Sequence, residues 1–356
     1  CLEACKKTVY EDSDQFNTGK KREKLEYLLT CKKENSTFKE EFHPKMISET
    51  LHRNLFGMDK VIREVTNFYY TEYIQGSRLN GNLALCGGFG IGKTAIAKGI
   101  AEAMGYKYVK ISLNGVDDMK VLRGFPGTYI GSEPGRIMKG IKVAGTTRVI
   151  LQLDELDKLK AEYAAAIIDL LDHEFTDNFL DAPVDFSQTI FIATANDWGN
   201  VPAVLRDRFI VIKVDGYTHG EKSQILSDYI IPKIEKGYAA SGVTISMDAD
   251  AREYLLKTYA NSFGVRDVEK AMQRICAGKL VDQAGVGNSM QVLISRADVS
   301  KYLGAEPIPR GNFPENQSLP GVSKALAVNN GNTGSAFAIE TVLLDGAEML
   351  EVTALP

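Results

Sequence analysis

One run of eight residues constrains the fold of this chain more than any other feature. The run consists of Gly87, Gly88, Phe89, Gly90, Ile91, Gly92, Lys93 and Thr94. It matches G-x-x-x-x-G-K-[ST], follows a strand-like apolar stretch and opens a helix-like one. In this pattern glycines let backbone N–H groups close on phosphate oxygens, while the lysine reaches the β- and γ-phosphates and the threonine hydroxyl can ligate Mg²⁺. The alternative is a glycine-rich turn with a chance lysine. We therefore predict a site for a nucleoside triphosphate.

Composition sets wide limits on the kind of protein. At 356 residues, with 44% apolar and 25% charged residues, the chain has room for two or three globular domains. A net charge of −4 gives no general attraction to nucleic acid or to an anionic membrane. The five scattered cysteines favour free thiols in a reducing compartment over a metal site. No apolar run reaches membrane-spanning length, and no signal peptide is visible. Because the first residue is Cys and not Met, we expect a fragment.

The hydrophobic pattern divides the chain into regions of different character. Leucines at 25, 28 and 29 have helical spacing, and an amphipathic helical pattern runs from 47 to 74. Short apolar strands then alternate with helices, which is typical of a parallel sheet covered by helices. The predicted strands are 83–86, 108–111, 148–153, 189–193 and 210–214.

After residue 216 the strand signal nearly disappears. The segments 219–237, 248–260 and 265–284 have helical spacing. Residues 305–334 are rich in Pro, Gly and Asn, which predicts a linker or a domain boundary. β character returns at 335–344 and 349–352.

Two acids end the third predicted strand. Asp154 and Glu155 follow the run VILQL, in which polar Gln152 interrupts the apolar residues. A carboxylate at the end of a strand beside a phosphate loop can hold Mg²⁺, and the next one can polarise the attacking water. The alternative is a strand that ends at a solvated loop. The phosphate loop about 60 residues earlier favours the first interpretation.

Three further polar positions are candidates for the same site. Asn196 follows the fourth predicted strand, where an amide can orient water near the γ-phosphate, although Asn is also a common turn residue. Arg206 and Arg208 end a short predicted helix, where surface ion pairs are the simpler interpretation. Arg266 starts a helix, where the helix dipole slightly disfavours a cation, and this mildly favours a functional role.

The order of these motifs resembles the AAA+ ATPases, and a finer set of segments is similar to Lon, the family of ATP-dependent serine proteases. Residues 128–135 (TYIGSEPG) resemble the pore segment of that family, and residues 170–181 resemble its LLDPEQN-x-x-F-x-D stretch. Residues 215–218 resemble the segment that joins its two ATPase subdomains. Upstream, residues 25–29 and 56–61 resemble two further Lon segments.

The resemblance implies an α/β fold, namely an AAA+ P-loop parallel sheet covered by helices, then an α-helical small subdomain and a short C-terminal β segment. It divides the chain into an N-terminal helical linker or tail (1–45), a large α/β subdomain (46–215), a small helical subdomain (216–304), and a linker with the beginning of a Lon-type protease domain (305–356). In that family the Ser–Lys dyad lies beyond this point. The resemblance therefore implies that this chain does not contain the proteolytic dyad.

The resemblance also assigns roles, position by position, with ATP and Mg²⁺ as the bound groups. These are Lys93 and Thr94 for Walker A, Asp154 and Glu155 for Walker B, Asn196 for sensor 1, Arg208 for an arginine finger on a neighbouring subunit, Arg266 for sensor 2, and Tyr129 with Ile130 for the pore loop. Thr94 and Asp154 would hold the metal through the nucleotide. Phe89 replaces a proline of the family motif GPPGVGKT, which alters the stiffness of the loop.

The leading interpretation is the ATP-driven unfoldase of a Lon-like protease that degrades misfolded or regulatory proteins. The alternative is a non-proteolytic AAA+ remodelling ATPase with a degenerate C-terminal domain. The acidic balance and the aromatic pore segment disfavour a nucleic-acid motor, and Glu155 with Arg208 disfavours a switch without turnover. We expect polypeptide substrates, a homohexamer, no membrane partner, and a location in the cytoplasm or, in a eukaryote, the mitochondrial matrix. The sequence does not support DNA binding.

Overall fold

The structure is a computed structural model. It describes residues 15–31, 43–75, 81–126, 131–238, 242–260, 264–282, 291–304, 322–329 and 333–340. The chain divides into two compact units. The first comprises Cys1–Glu221 with Phe263–Val265, and the second comprises Lys222–Ser262 with Arg266–Pro356. No helix in the described ranges is long and apolar enough to cross a membrane.

A five-stranded parallel sheet forms the centre of the first unit. Its strands are β1 (Leu83–Cys86), β2 (Lys107–Ser112), β3 (Val149–Asp154), β6 (Ile190–Ala195) and β7 (Ile210–Lys213). They lie in the order β2-β3-β6-β1-β7, and every neighbouring pair is parallel. All five predicted strands are confirmed, with ends that differ by one or two residues. A two-stranded ribbon, β4 (Thr176–Asp177) with β5 (Ala182–Pro183), accompanies the sheet.

Helices cover both faces of this sheet. The helices of the first unit are α1 (Gln15–Cys31), α2 (Lys45–Asn54), α3 (Asp59–Ile74), α4 (Lys93–Met104), α5 (Lys120–Arg123), α6 (Arg136–Ala144), α7 (Ala164–Leu171) and α8 (Ala203–Arg206). One face of the sheet packs its apolar side chains against α2, α3 and α4, and the other packs against α1, α6 and α7. The central strands, which are covered on both faces, are largely apolar, which is why the sequence shows them as nearly continuous runs. The predicted α/β fold is therefore present.

The second unit is mostly helical. Its helices are α9 (His219–Ile225), α10 (Ile231–Gly237), α11 (Ala249–Thr258), α12 (Arg266–Asp282) and α13 (Arg296–Leu303), with a π-helical turn (Leu226–Ile230) between α9 and α10. The unit also contains a parallel pair of short strands, β8 (Thr244–Met247) and β9 (Gln291–Ile294). The sequence analysis missed this pair. Four residues that alternate between buried and more exposed positions give too short a signal for a strand.

An antiparallel pair of strands follows within the second unit. The strands are β10 (Val322–Asn329) and β11 (Thr333–Glu340). The predicted C-terminal β segment is present and begins earlier than predicted, because residues 322–329 already form a strand. Asn329 and Gly334, which contribute to the loop-like composition of this stretch, belong to the two strands. Residues 349–352 lie outside the described ranges.

Candidate active site

The glycine-rich loop lies between β1 and α4, with Lys93 as the first helical residue. Gly92 has φ 95°, a left-handed conformation that glycine adopts without steric cost. A Cβ on Gly87 would lie 2.1 Å from the carbonyl oxygen of Val214, so a side chain does not fit there. The Phe89 side chain is exposed. The loop therefore has the conformation of a strand–loop–helix turn that presents backbone N–H groups at a helix N-terminus.

Two segments that are distant in sequence lie beside this loop. The Val265 N–H donates to the Gly90 carbonyl oxygen at 3.3 Å, and a Cβ on Gly264 would lie 2.3 Å from that oxygen. On another side, a Cβ on Gly92 would lie 3.4 Å from the Tyr217 hydroxyl. The segment at 215–218, which resembles a Lon segment in sequence, and the segment at 264–265, directly before Arg266, thus both approach the loop. Arg266 is the first residue of α12, and its proposed contact with phosphate stays a prediction.

The Lys93 ammonium lies among oxygen atoms at the centre of the site. Its Nζ donates to the carbonyl oxygens of Gly87 at 2.5 Å and Gly88 at 2.8 Å, and to Oδ1 of Asn196 at 2.9 Å. Lys93 and Asn196 are 103 residues apart in sequence. They meet because β1 and β6 are neighbours, so that residues after their carboxyl ends share one edge of the sheet. The structure therefore brings these two predicted site residues together.

Asp154 accepts three side-chain hydrogen bonds. Its Oδ1 accepts from the Thr194 hydroxyl at 2.6 Å and from Nε2 of Gln152 at 2.8 Å, and its Oδ2 pairs with the Lys110 ammonium at 2.7 Å. Burial alone would raise the pKa of this carboxyl group. The hydrogen bonds and the positive charge of Lys110 outweigh burial and hold the pKa below its usual value. Asp154 is therefore ionised at neutral pH, as a ligand for a hard cation must be.

The register of the sheet explains why these side chains meet. Lys110 of β2 pairs with Gln152 of β3, and Gln152 pairs with Ile192 of β6. Side chains alternate between the faces of a strand, so Asp154 and Thr194 point to the same face two residues further on. This is the face that packs against α4. The helix that carries Lys93 and Thr94 thus covers the polar ends of three strands.

The oxygen donors fit a magnesium ion. Mg²⁺ prefers oxygen ligands and is commonly held by one or two protein groups together with substrate phosphates. Thr94 offers a hydroxyl and Asp154 a carboxylate, and Nε2 of Gln152 lies 3.4 Å from Thr94 Oγ1 and 2.8 Å from Asp154 Oδ1. One amide group thus touches both oxygens, so they lie in a common neighbourhood. Thr94 and Asp154 are therefore the residues that would hold the metal.

Glu155 has an unusual backbone conformation. Its φ of 59° and ψ of 49° are left-handed, which is uncommon for a residue with a side chain. Its N–H donates to the Thr194 hydroxyl oxygen at 3.2 Å, which ties this conformation to the neighbouring strand. Such backbone strain costs about 1–3 kcal/mol and concentrates at functional sites. The sharp turn ends β3 and directs the chain away from the sheet directly after Asp154.

The sequence analysis missed several residues of this site. Lys110 and Thr194 contact Asp154, and buried Asp157 accepts the Asn196 N–H through Oδ1 at 3.3 Å. Lys158 Nζ lies 3.7 Å from the other oxygen of Asp157. The sequence did contain a signal for such residues, namely a polar side chain within a predicted central strand or directly after its end. Gln152 was noted for this reason, but only as an interruption of the strand.

Arg208 forms an ion pair with Asp172 of its own chain, just beyond the end of α7. Both side chains are partly exposed, 36% and 42% respectively. A surface ion pair was the simpler interpretation of the sequence, and the pair is present. The predicted action on a neighbouring subunit stays a prediction. Tyr129 and Ile130 lie outside the described residues.

Comparison with known proteins agrees with this geometry. Residues 83–215 match the model of the ATPase family associated with various cellular activities (AAA). The chain is 33% identical to a Lon protease of Chloroherpeton thalassium over 316 residues, 85% of this chain and 38% of that protein. It is 36% identical to a Lon protease of Aster yellows witches'-broom phytoplasma over 268 residues, 73% of this chain and 34% of that protein. A Lon protease of Geobacter metallireducens is 34% identical over 318 residues, 87% of this chain and 38% of that protein.

The matched region thus spans less than two-fifths of the length of each of these relatives. Residues 83–215, which match the AAA model, contain the phosphate loop and the acids that end β3. The fold, the matched AAA residues and the similarity to several Lon proteases agree with one another. By these comparisons the chain is similar to Lon proteases and carries an AAA ATPase region.

Proposed function

We propose that this chain binds ATP with Mg²⁺ and hydrolyses it to ADP and phosphate. One observation carries the proposal. Lys93, Thr94, Asp154 and Asn196 meet at the carboxyl ends of three adjacent parallel strands, beneath a glycine-rich loop. Ligands of open α/β sheets bind at this edge. The AAA match over residues 83–215 supports the same activity.

Each side chain has a distinct task in this proposal. Lys93 binds the β- and γ-phosphate oxygens, and Asn196 orients the attacking water. Glu155 accepts the proton of that water, for which its carboxylate is the nearest acid beyond Asp154 in the chain. Thr94 and Asp154 hold Mg²⁺, which supplies positive charge to the phosphate oxygens. Arg266 contributes a further guanidinium from the start of α12.

Arg208 completes the site of a neighbouring subunit in the proposed homohexamer. Its ion pair with Asp172 keeps the guanidinium at the surface of its own chain. An exposed pair of this kind contributes only about 0–1 kcal/mol, whereas an arginine that stabilises a transferring phosphoryl group contributes about 10³–10⁵ in rate. Exchange of partners on assembly therefore costs little compared with its effect on turnover.

Mixing two inactive variants tests this role of Arg208. Arg208→Ala subunits keep an intact phosphate loop, and Lys93→Ala subunits keep an intact Arg208. In a ring with random equal mixing, about a quarter of the interfaces combine both intact parts. We expect recovery of up to that fraction of wild-type phosphate release, measured after co-assembly is verified by light scattering. Co-assembly without any recovery would mean that Arg208 acts within its own chain.

We further propose that ATP hydrolysis drives unfolding and translocation of polypeptides. The Lon protease names of the relatives support a protease as the destination of the polypeptide. A misfolded or regulatory protein as the substrate stays a prediction. The names favour this activity over the alternative of a non-proteolytic remodelling ATPase. The boundaries 1–45, 46–215, 216–304 and 305–356 belong to the same proposal. A cytoplasmic or mitochondrial location stays a prediction.

Tyr129 tests whether a polypeptide is the translocated substrate. A rigid aromatic side chain on a glycine-rich loop can grip many sequences through apolar contact. In the full-length protein, Tyr129→Ala should keep ATPase activity within a few-fold and abolish degradation of a folded substrate, while a short unstructured peptide is still cut. The alternative is a tyrosine that packs against the sheet. Joint loss of ATPase activity and thermal stability would support that alternative and remove the main argument for translocation.

A further inference from the structure

Gln152 is a polar residue in a buried central strand. It is fully buried, and its neighbours Leu151 and Leu153 are fully buried as well. An amide without hydrogen-bond partners is costly in such surroundings, so a buried glutamine needs partners that an apolar residue of the same size would not. Its conformation therefore depends on the groups around it.

The partners of Gln152 fix the direction of its amide. The NH₂ group faces Asp154 and donates to its Oδ1 at 2.8 Å. The same NH₂ lies 3.4 Å from the Thr94 hydroxyl oxygen. The carbonyl oxygen of the amide then accepts from the Tyr108 hydroxyl at 2.5 Å. Every polar atom of the side chain has a partner.

Asp154 does not need Gln152 for its own hydrogen bonding. Thr194 already donates to Oδ1 and Lys110 to Oδ2. What Gln152 adds is a link to α4, because its second N–H lies near Thr94 Oγ1. A hydroxyl oxygen has two lone pairs, so a bond accepted from Gln152 leaves one lone pair for a metal. The link thus joins the two proposed magnesium ligands without consuming either.

We propose that Gln152 is a positioning residue that holds the Thr94 hydroxyl and the Asp154 carboxylate in the relative placement that Mg²⁺ requires. Mg²⁺ tolerates little departure from octahedral geometry, so the placement of its protein oxygens matters. Tyr108 supports Gln152 by fixing the carbonyl end of the amide. This inference rests on the proposed ATPase function and adds to it a residue that acts through Thr94 and Asp154.

The test measures ADP affinity by calorimetry, with Mg²⁺ and with excess EDTA, on the full chain. Gln152→Met keeps the length of the side chain and removes its hydrogen bonds. We expect the gain in ADP affinity that Mg²⁺ provides to fall about tenfold, the size of one lost hydrogen bond to a charged group. Affinity in EDTA should stay within about twofold of wild type, because the phosphate loop is untouched.

Two further variants make the result specific. Tyr108→Phe removes only the hydroxyl group that fixes Gln152, so we expect a loss in the same direction of about two- to threefold. Thr189→Val is the matched control, because it removes a different buried hydrogen bond, from the Thr189 hydroxyl to the Thr147 carbonyl oxygen at 2.6 Å. Thr189 lies just before β6 begins, at the opposite end of that strand from Thr194, which contacts Asp154. The effect of Mg²⁺ on the ADP affinity of this variant should equal its effect on wild type, even if the variant is less stable to heat.

The outcomes separate this inference from the ATPase proposal. If Mg²⁺ raises the ADP affinity of Gln152→Met by the same factor as that of wild type, Gln152 has no positioning role. If Gln152→Met loses ADP affinity by the same factor with and without Mg²⁺, Gln152 has a general structural role instead. If Gln152→Met does not fold, Tyr108→Phe decides, and wild-type Mg²⁺ dependence in that variant contradicts the inference. Absence of ADP binding by wild type would instead overturn the ATPase proposal, and this inference with it.

Discussion

Glu155→Gln should bind ATP like the wild type and lose steady-state turnover by about a hundredfold or more, the range of general base catalysis. Glutamine keeps the size and the hydrogen-bonding reach of the side chain but cannot accept the proton of the attacking water. Lys93, Thr94 and Asp154 are untouched, so binding should persist. Phosphate release measured beside calorimetric ATP affinity separates the two effects.

The control for this variant is Glu49→Gln. Glu49 is an exposed residue of α2, so the substitution removes the same charge away from the loop. The Glu49→Gln variant should hydrolyse ATP at the wild-type rate. If Glu155→Gln also turns over at that rate, another residue activates the water, and the left-handed turn at 155 needs a different explanation.

Lys93→Ala should lose most of the affinity for ATP. The Lys93 ammonium is the cation that donates to the carbonyl oxygens of Gly87 and Gly88 and to Asn196, and these contacts hold it at the loop. Charged hydrogen bonds contribute roughly 1.5–3 kcal/mol, which corresponds to a loss of about ten- to 150-fold in affinity measured by calorimetry.

Lys45→Ala is the matched control, because Lys45 is an exposed lysine at the first position of α2. Its ATP affinity should not change. Unchanged affinity in Lys93→Ala would contradict the assignment of this loop to phosphate. A fall in thermal stability of Lys93→Ala without a fall in affinity would mean that the contacts to Asn196 serve the fold alone.

Much of the sheet could be predicted from the sequence because the residues that determine each strand and the phosphate loop are adjacent in the chain. Strands covered on both faces are apolar over most of their length, and the glycines at 87 and 92 are required by a close contact and a left-handed φ. The phosphate loop and the five strands therefore appear in the sequence as runs of residues. The short strands β8 and β9 do not, because half of each faces outward and four residues carry almost no periodicity.

The rest of the site depends on which strands are neighbours, and a single sequence does not state this. Lys110 meets Asp154 because β2 pairs with β3 in a particular register. Asp157 meets the backbone of Asn196 across 39 residues, and Arg208 meets Asp172 across 36. Gln152 was visible as a polar residue in an apolar run. Its partner Tyr108, on a different strand, was not.

The left-handed turn at Glu155 has a consequence for how variants of this protein should be chosen. Glycine, or to a lesser degree asparagine, adopts that conformation more easily than glutamate, so selection for heat resistance alone rewards the loss of this side chain. With Glu155 in its proposed catalytic role, libraries sorted by melting temperature would then accumulate well-folded proteins without turnover. The same reasoning applies to sequence design that optimises compatibility with a backbone, because it would disfavour glutamate here. At this position, a poor fit between residue and backbone coincides with the proposed general base.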